Sequence, residues 1–118
     1  MLCQCSSDKR PARLSESLET IELAWVNWAC DCPDWIETRL ARDSAEIDPG
    51  QCIYLEAGAP GLQVPNEFYT AGHFSQALRL TGRFYQTFGI PAGYEPKTTG
   101  KIEPGRVFRY EKIDIINR

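Results

Sequence analysis

Residues 76–85, Gln-Ala-Leu-Arg-Leu-Thr-Gly-Arg-Phe-Tyr, most limit what this chain can become. Leu78, Leu80 and Phe84 share one side of a period-two repeat, and Arg79, Thr81, Arg83 and Tyr85 take the other. That alternation belongs to a half-buried strand. Gly82 interrupts the apolar side, where glycine marks a bulge, a barrel bend or the close approach of a second backbone. Such a strand needs partners, and the sequence offers several. Residues 20–28 place Ile21, Leu23 and Trp25 on one side and Ala24, Val26 and Trp28 on the other, as in a strand covered on both faces near its end. Residues 52–57, Cys-Ile-Tyr-Leu-Glu-Ala, form another compact strand pattern. In residues 106–116, Phe108 and Tyr110 are in phase, whereas Ile113 and Ile115 have the opposite parity, which predicts a bulge between the two pairs.

Residues 33–43 fit two patterns. As a helix, Asp34 and Glu37 make a capping pair while Ile36 and Leu40 stack four apart; as a strand, Ile36, Thr38 and Leu40 alternate. The strand is preferred because it brings the set to five. Turn chemistry separates the segments: Asp48-Pro49-Gly50 precedes the strand at 52, residues 58–65 read as loop, and residues 66–74 have room for one short helical turn. Residues 89–105 hold a long proline- and glycine-rich loop, a feature often tied to function in compact domains. The expected fold is therefore mainly β: a small five-stranded antiparallel barrel of the oligonucleotide/oligosaccharide-binding (OB) type, with a short helical insert between strands 3 and 4. At 118 residues there is room for one core. Residues 1–18 read as a flexible polar tether and residues 19–118 as the domain.

Charge and hydropathy narrow the functional classes. Thirteen basic residues against sixteen acidic ones give a net charge of −3, so the basic excess of a typical nucleic-acid module is missing and nucleic acid is a disfavoured partner. No apolar run approaches the roughly 18 residues of a membrane span. Serine-hydrolase motifs, phosphate-cradling glycine loops and dinucleotide fingerprints are absent, so no catalytic residue is assigned and the chain reads as a binding module.

Five cysteines and a single histidine are the distinctive entries in the composition. An odd count leaves at least one cysteine without an intrachain partner. Cys3 and Cys5 open the chain ahead of a serine-rich polar stretch, like the mature end of a bacterial lipoprotein in which a cysteine carries the lipid. Cys30 and Cys32 flank Asp31, and Cys52 stands alone. In an oxidising compartment the expected arrangement is a staple between Cys52 and either Cys30 or Cys32; closing about 20 residues this way is worth roughly 3 kcal/mol. The alternative is a zinc or copper site, with Cys30, Cys32 and Cys52 on neighbouring strands and His73 as a further ligand. A thiol-redox role for the Cys-Asp-Cys is the third reading, disfavoured because the flanking acids Asp31 and Asp34 raise thiol pKa values. Otherwise no cofactor is expected.

Aromatic side chains at Trp25, Trp28, Trp35, Tyr54, Phe84, Tyr85, Phe108 and Tyr110 are spread over the strands. Most are needed as core, and an exposed subset would stack on sugars or bases. Arg79, Arg83 and Arg109, with Tyr85 and Tyr110, make a candidate ligand face. The pattern Trp-Ala-Cys-Asp-Cys-Pro-Asp-Trp, then Cys-Ile-Tyr-Leu-Glu-Ala, then Leu-Thr-Gly-Arg-Phe-Tyr and Val-Phe-Arg-Tyr resembles a group of small bacterial lipoproteins of unassigned function, over residues 21–110. The resemblance implies export and a single β domain, placed in the periplasm or outer envelope through a lipid on Cys3 or Cys5. A cytoplasmic location is the alternative. Its partners would be a small molecule, a glycan or an envelope protein.

Overall fold

The computed structural model describes residues 10–41 and 47–118. Five strands close into a barrel in the order β1-β2-β3-β5-β4, with β1 Glu19–Trp25, β2 Trp35–Glu37, β3 Ile53–Ala57, β4 Gln76–Phe84 and β5 Arg106–Asn117. A short helix, α1 (Asn66–Thr70), lies between β3 and β4. This is the expected OB-like architecture, with one correction. The barrel is mixed rather than antiparallel, because β3 and β5 run parallel from Ile53↔Arg106 to Ala57↔Tyr110. The reason is topological: a closed ring with an odd number of strands cannot reverse direction at every neighbour, so one pair must be parallel.

Inside the barrel, Ile21, Leu23, Leu78, Leu80, Phe84 and Phe108 form the main core, and Phe68 from α1 enters from one end. Phe68 stacks on Trp35 with ring centroids 5.7 Å apart. The outward side of β1 and β2 is apolar too. Ala24 and Ile36 meet Ala41 and Cys52 in a second small cluster, with Val26 and Trp28 packed against it. This explains the doubly apolar reading of residues 20–28. The ambiguous segment is divided: residues 35–37 are strand, and Thr38–Leu40 is a 3-10 turn.

β4 and β5 form the longest pairing, and its register shifts between Thr81 and Gly82, where Thr81 faces Lys112 but Gly82 faces Tyr110. Glu111 is the extra residue. It restores Ile113 to the core side, resolving the parity change seen in the sequence. A Cβ on Gly82 would lie 2.1 Å from the Arg109 carbonyl oxygen and 2.6 Å from Tyr110 Cα. Glycine is required there by close backbone approach.

The second half of the segment read as tether lies along the end of β4. Ser15 N–H donates to Phe84 O at 2.7 Å and Gln86 N–H to Arg13 O at 2.8 Å. The candidate lipid-bearing residues Cys3 and Cys5 lie outside the described residues.

Candidate functional site

The site begins with a parity anomaly on β3. Ile53, Leu55 and Ala57 belong to the barrel core, so Tyr54 and Glu56 point outward. Both are nevertheless only 2% exposed. The long β4–β5 connection folds across this outer wall and buries them. Glu56 Oε1 accepts the Ala92 N–H at 2.7 Å, while Oε2 accepts the Tyr85 hydroxyl and, at 3.3 Å, Arg109 Nη1. Tyr54 donates its hydroxyl to the Glu103 carbonyl and packs edge-on against Tyr94 at 5.3 Å.

A second buried carboxylate grips the same loop from the β1–β2 connection. Asp31 Oδ1 accepts the Lys97 N–H at 2.6 Å and the Tyr94 hydroxyl at 2.8 Å. Its Oδ2 accepts the Thr98 hydroxyl at 2.6 Å and the Thr98 N–H at 3.0 Å. The Asp31 carbonyl also takes the Glu103 N–H at 2.8 Å. The Lys97 N–H, then the Thr98 hydroxyl, with Tyr94 and the Thr98 N–H, outweigh burial and hold this carboxyl well below the usual range. The two connections are thus bonded to each other through side chain and backbone. At the loop's far end Gly105 abuts Pro33, where an added Cβ would meet Pro33 Cγ at 2.4 Å.

Between the clamped loop and residues 58–66 opens a cleft of about 720 Å³. Its aromatic lining is Trp25, Trp35, Tyr54, Tyr69, Tyr94 and Tyr110, and its polar lining includes Asp34, Gln63, Asn66, Glu95 and Lys97. Trp25 is held in place by its Nε1–H, which donates to Asp34 Oδ2 at 3.1 Å, and by an edge contact with Tyr69 at 4.9 Å. The Lys97 ammonium donates to the same Asp34 oxygen at 2.9 Å and to Trp28 O at 3.2 Å. Burial pushes Tyr69 and Tyr110 up to about 12, so both hydroxyls keep their protons at neutral pH. Tyr110 donates its hydroxyl to Leu62 O at 2.7 Å.

The residues singled out in the sequence are distributed otherwise. Cys30 and Cys32 are paired with each other, and among the described residues Cys52 is a buried free thiol. This corrects the expected staple to Cys52. The β1–β2 connection turns the Cys-Asp-Cys upon itself, so the two sulfurs do not project along a strand. Cys52 sits with its sulfur 3.9 Å from Asp48 O, and burial pushes its thiol up. His73 is elsewhere, its Nδ1 3.2 Å from Phe68 O and its ring 5.0 Å from Trp25. Among the described residues no group of three His, Cys, Asp or Glu side chains is arranged to hold a metal ion, so the zinc or copper site of Cys30, Cys32, Cys52 and His73 is not assembled.

The five-residue ligand face is likewise not a single surface. Arg79 pairs with exposed Glu22 at 2.9 Å, and Arg83 donates to the Ser15 and Glu16 carbonyls. Tyr85 and Arg109 are absorbed by Glu56, and only Tyr110 reaches the cleft. Sequence reasoning missed the roles of Asp31, Glu56, Tyr94 and Lys97. The available signals were an acid at an outward position of a strand beside a long Pro/Gly loop, and an acid enclosed by two cysteines. No protein-family model, curated protein or solved structure matches this chain.

Proposed function

We propose that this protein is a non-catalytic binding module for a short oligosaccharide or similar polyhydroxylated ligand, held in the cleft between residues 58–66 and the clamped loop. One observation carries the reading: three partly exposed aromatic side chains, Trp25, Tyr69 and Tyr94, line an open cleft whose lining cation, Lys97, is already neutralised by Asp34. Aromatic faces stack on the C–H faces of sugars, and the Gln63 and Asn66 amides with the Glu95 carboxylate suit hydroxyl groups. The volume falls in the range of small-molecule sites, about 300–1,000 Å³. OB barrels bind oligosaccharides and oligonucleotides with their β1–β2 and β4–β5 connections, and the β4–β5 connection is one wall of this cleft, a fold-level analogy. A polyphosphate would meet Glu95 and no unpaired cation within the lining, which disfavours nucleic acid.

The test is titration of the full chain with chitotetraose, cellotetraose, maltotetraose and a thymidine octamer, followed by tryptophan fluorescence. The expected result is a saturable change with at least one oligosaccharide, weakened about tenfold by Gln63→Ala or Asn66→Ala at the cleft rim. Silence from all three oligosaccharides, or a steeply salt-dependent response to the octamer alone, overturns it. Placement in the cell envelope is a dependent proposal that rests on the Cys-Gln-Cys start. Alkyne-palmitate labelling in a bacterial host, lost in Cys3→Ser or Cys5→Ser, supports it; unlabelled protein contradicts it.

A further inference from the structure

The disulfide between Cys30 and Cys32 closes around a single residue, and that residue is Asp31, the carboxylate that anchors residues 94–98. Two of the residues it secures, Tyr94 and Lys97, line the cleft. Cys30 is exposed while Cys32 and Asp31 are buried. Cys30 is therefore the half of the bridge on the solvent side, and both cysteines flank the anchor. We propose that the Cys30–Cys32 disulfide is a redox lever on the cleft: reduction frees Asp31 and releases the 94–98 segment, and reoxidation seats it again. The effect on ligand rests on the binding role assigned to the cleft; the effect on the loop does not.

The exchange balances with a dithiol as reductant. A thiolate of the dithiol attacks Cys30 Sγ, forming a mixed disulfide, and Cys32 leaves as a thiolate that takes up a proton. The second thiol of the reductant then attacks its own sulfur in the mixed disulfide. Cys30 is released as a thiol, and the dithiol departs as a disulfide. Two electrons and two protons pass to the protein. The closed ring restricts the backbone on both sides of Asp31, which keeps its carboxylate aimed at the Lys97 and Thr98 N–H groups. Opening it returns that conformational freedom, and the anchor must then be ordered against it. The barrel itself is held by strand pairing and by two core clusters that contain neither Cys30 nor the buried Cys32. Reduction should accordingly loosen the loop and leave the barrel intact.

The experiment compares the full chain poised with oxidised and with reduced dithiothreitol. Alkylation and peptide mapping assign the thiols, and amide hydrogen exchange is followed residue by residue. In the oxidised protein Cys30 and Cys32 are expected as one disulfide. On reduction the Lys97 and Thr98 amides should exchange at least about tenfold faster, with Leu80 and Val107 in the barrel unchanged. Cys30→Ser should show the fast rates under both conditions. Equal Lys97 and Thr98 rates in the two states overturn the lever. So does equal acceleration of the barrel amides, which marks a plain structural staple, or free Cys30 and Cys32 under oxidising conditions. Oligosaccharide titration of both states separates the two proposals. A responding loop with no sugar binding in either state keeps the lever and sinks the ligand assignment. Equal binding with an unresponsive loop does the reverse.

Discussion

The outside of this barrel carries similar ionic pairs on two walls, and they do different things. On the β1–β4 wall, Arg79 meets Glu22 at 2.9 Å with side chains 48% and 42% exposed. On the β3–β5 wall, Arg109 meets Glu56 at 3.3 Å, but the Glu56 side chain is 2% exposed and also holds Tyr85 and Ala92 N–H. The exposed pair is screened by water and ties down nothing beyond its own strands. The buried carboxylate has given up hydration and needs every donor it has, and one of them, the Ala92 N–H, comes from the loop. Burial, not ion-pair geometry, makes a charge specify structure here. A loop rich in proline and glycine is placed by two carboxylates it encloses.

The largest expected effect belongs to the frame both walls share. Gly82→Val should cost about 4 kcal/mol, since its side chain would enter the β5 backbone at the bulge. Chemical denaturation should show the loss, and a near-neutral result would mean the bulge is not as described. The contrast between the walls comes next. Glu56→Ala should cost about 3 kcal/mol by stranding Ala92 N–H, the Tyr85 hydroxyl and Arg109. Glu22→Ala on the bare wall should stay within about 0.5 kcal/mol. Equal losses at the two glutamates would break the comparison.

The comparison also has a pH signature. The folded-state value of Asp31 lies below that of an ordinary aspartate, so its contribution is complete above about pH 4 and is withdrawn as pH falls from there toward the folded value. Thermal midpoints of wild type should drop on that acid side, and Asp31→Asn should flatten the limb. Tyr69 and Tyr110 work in the opposite sense. With folded values raised to about 12, they stabilise fully below about pH 10 and lose that contribution as pH climbs through 12. Absorbance titration near 295 nm should show these two phenols ionising near pH 12, above the range of a free tyrosine.

Much of the frame was legible because it is written in local periodicity. The alternation around Leu78, Leu80 and Phe84, the parity change before Ile113 and the doubly apolar side chains of residues 20–28 each had a single physical meaning. Their outcomes are a β4 strand, a bulge at Glu111 and a strand covered twice. Strand direction was less legible, since pairing sense is a property of closure and not of any one segment. The site was the least legible. Asp31 and Glu56 look in sequence like ordinary surface acids, and only the path of residues 89–105 turns them into anchors. The Cys30–Cys32 pairing was hidden similarly, because period-two reasoning assumed that the strand continued past Trp25, where the chain instead turns at Asn27 with a positive φ of 60°.

The claim that two enclosed carboxylates seat the loop is tested most directly by residue-resolved hydrogen exchange of Ala92, Lys97 and Thr98 in the oxidised wild-type chain, against Glu56→Gln and Asp31→Asn. The account predicts that all three amides exchange at least about 100-fold more slowly than those of Gly93 and Lys101 in the same loop. Protection at Ala92 should fall in Glu56→Gln, and protection at Lys97 and Thr98 in Asp31→Asn. Three amides exchanging at the rate of their loop neighbours in the wild-type protein would contradict it.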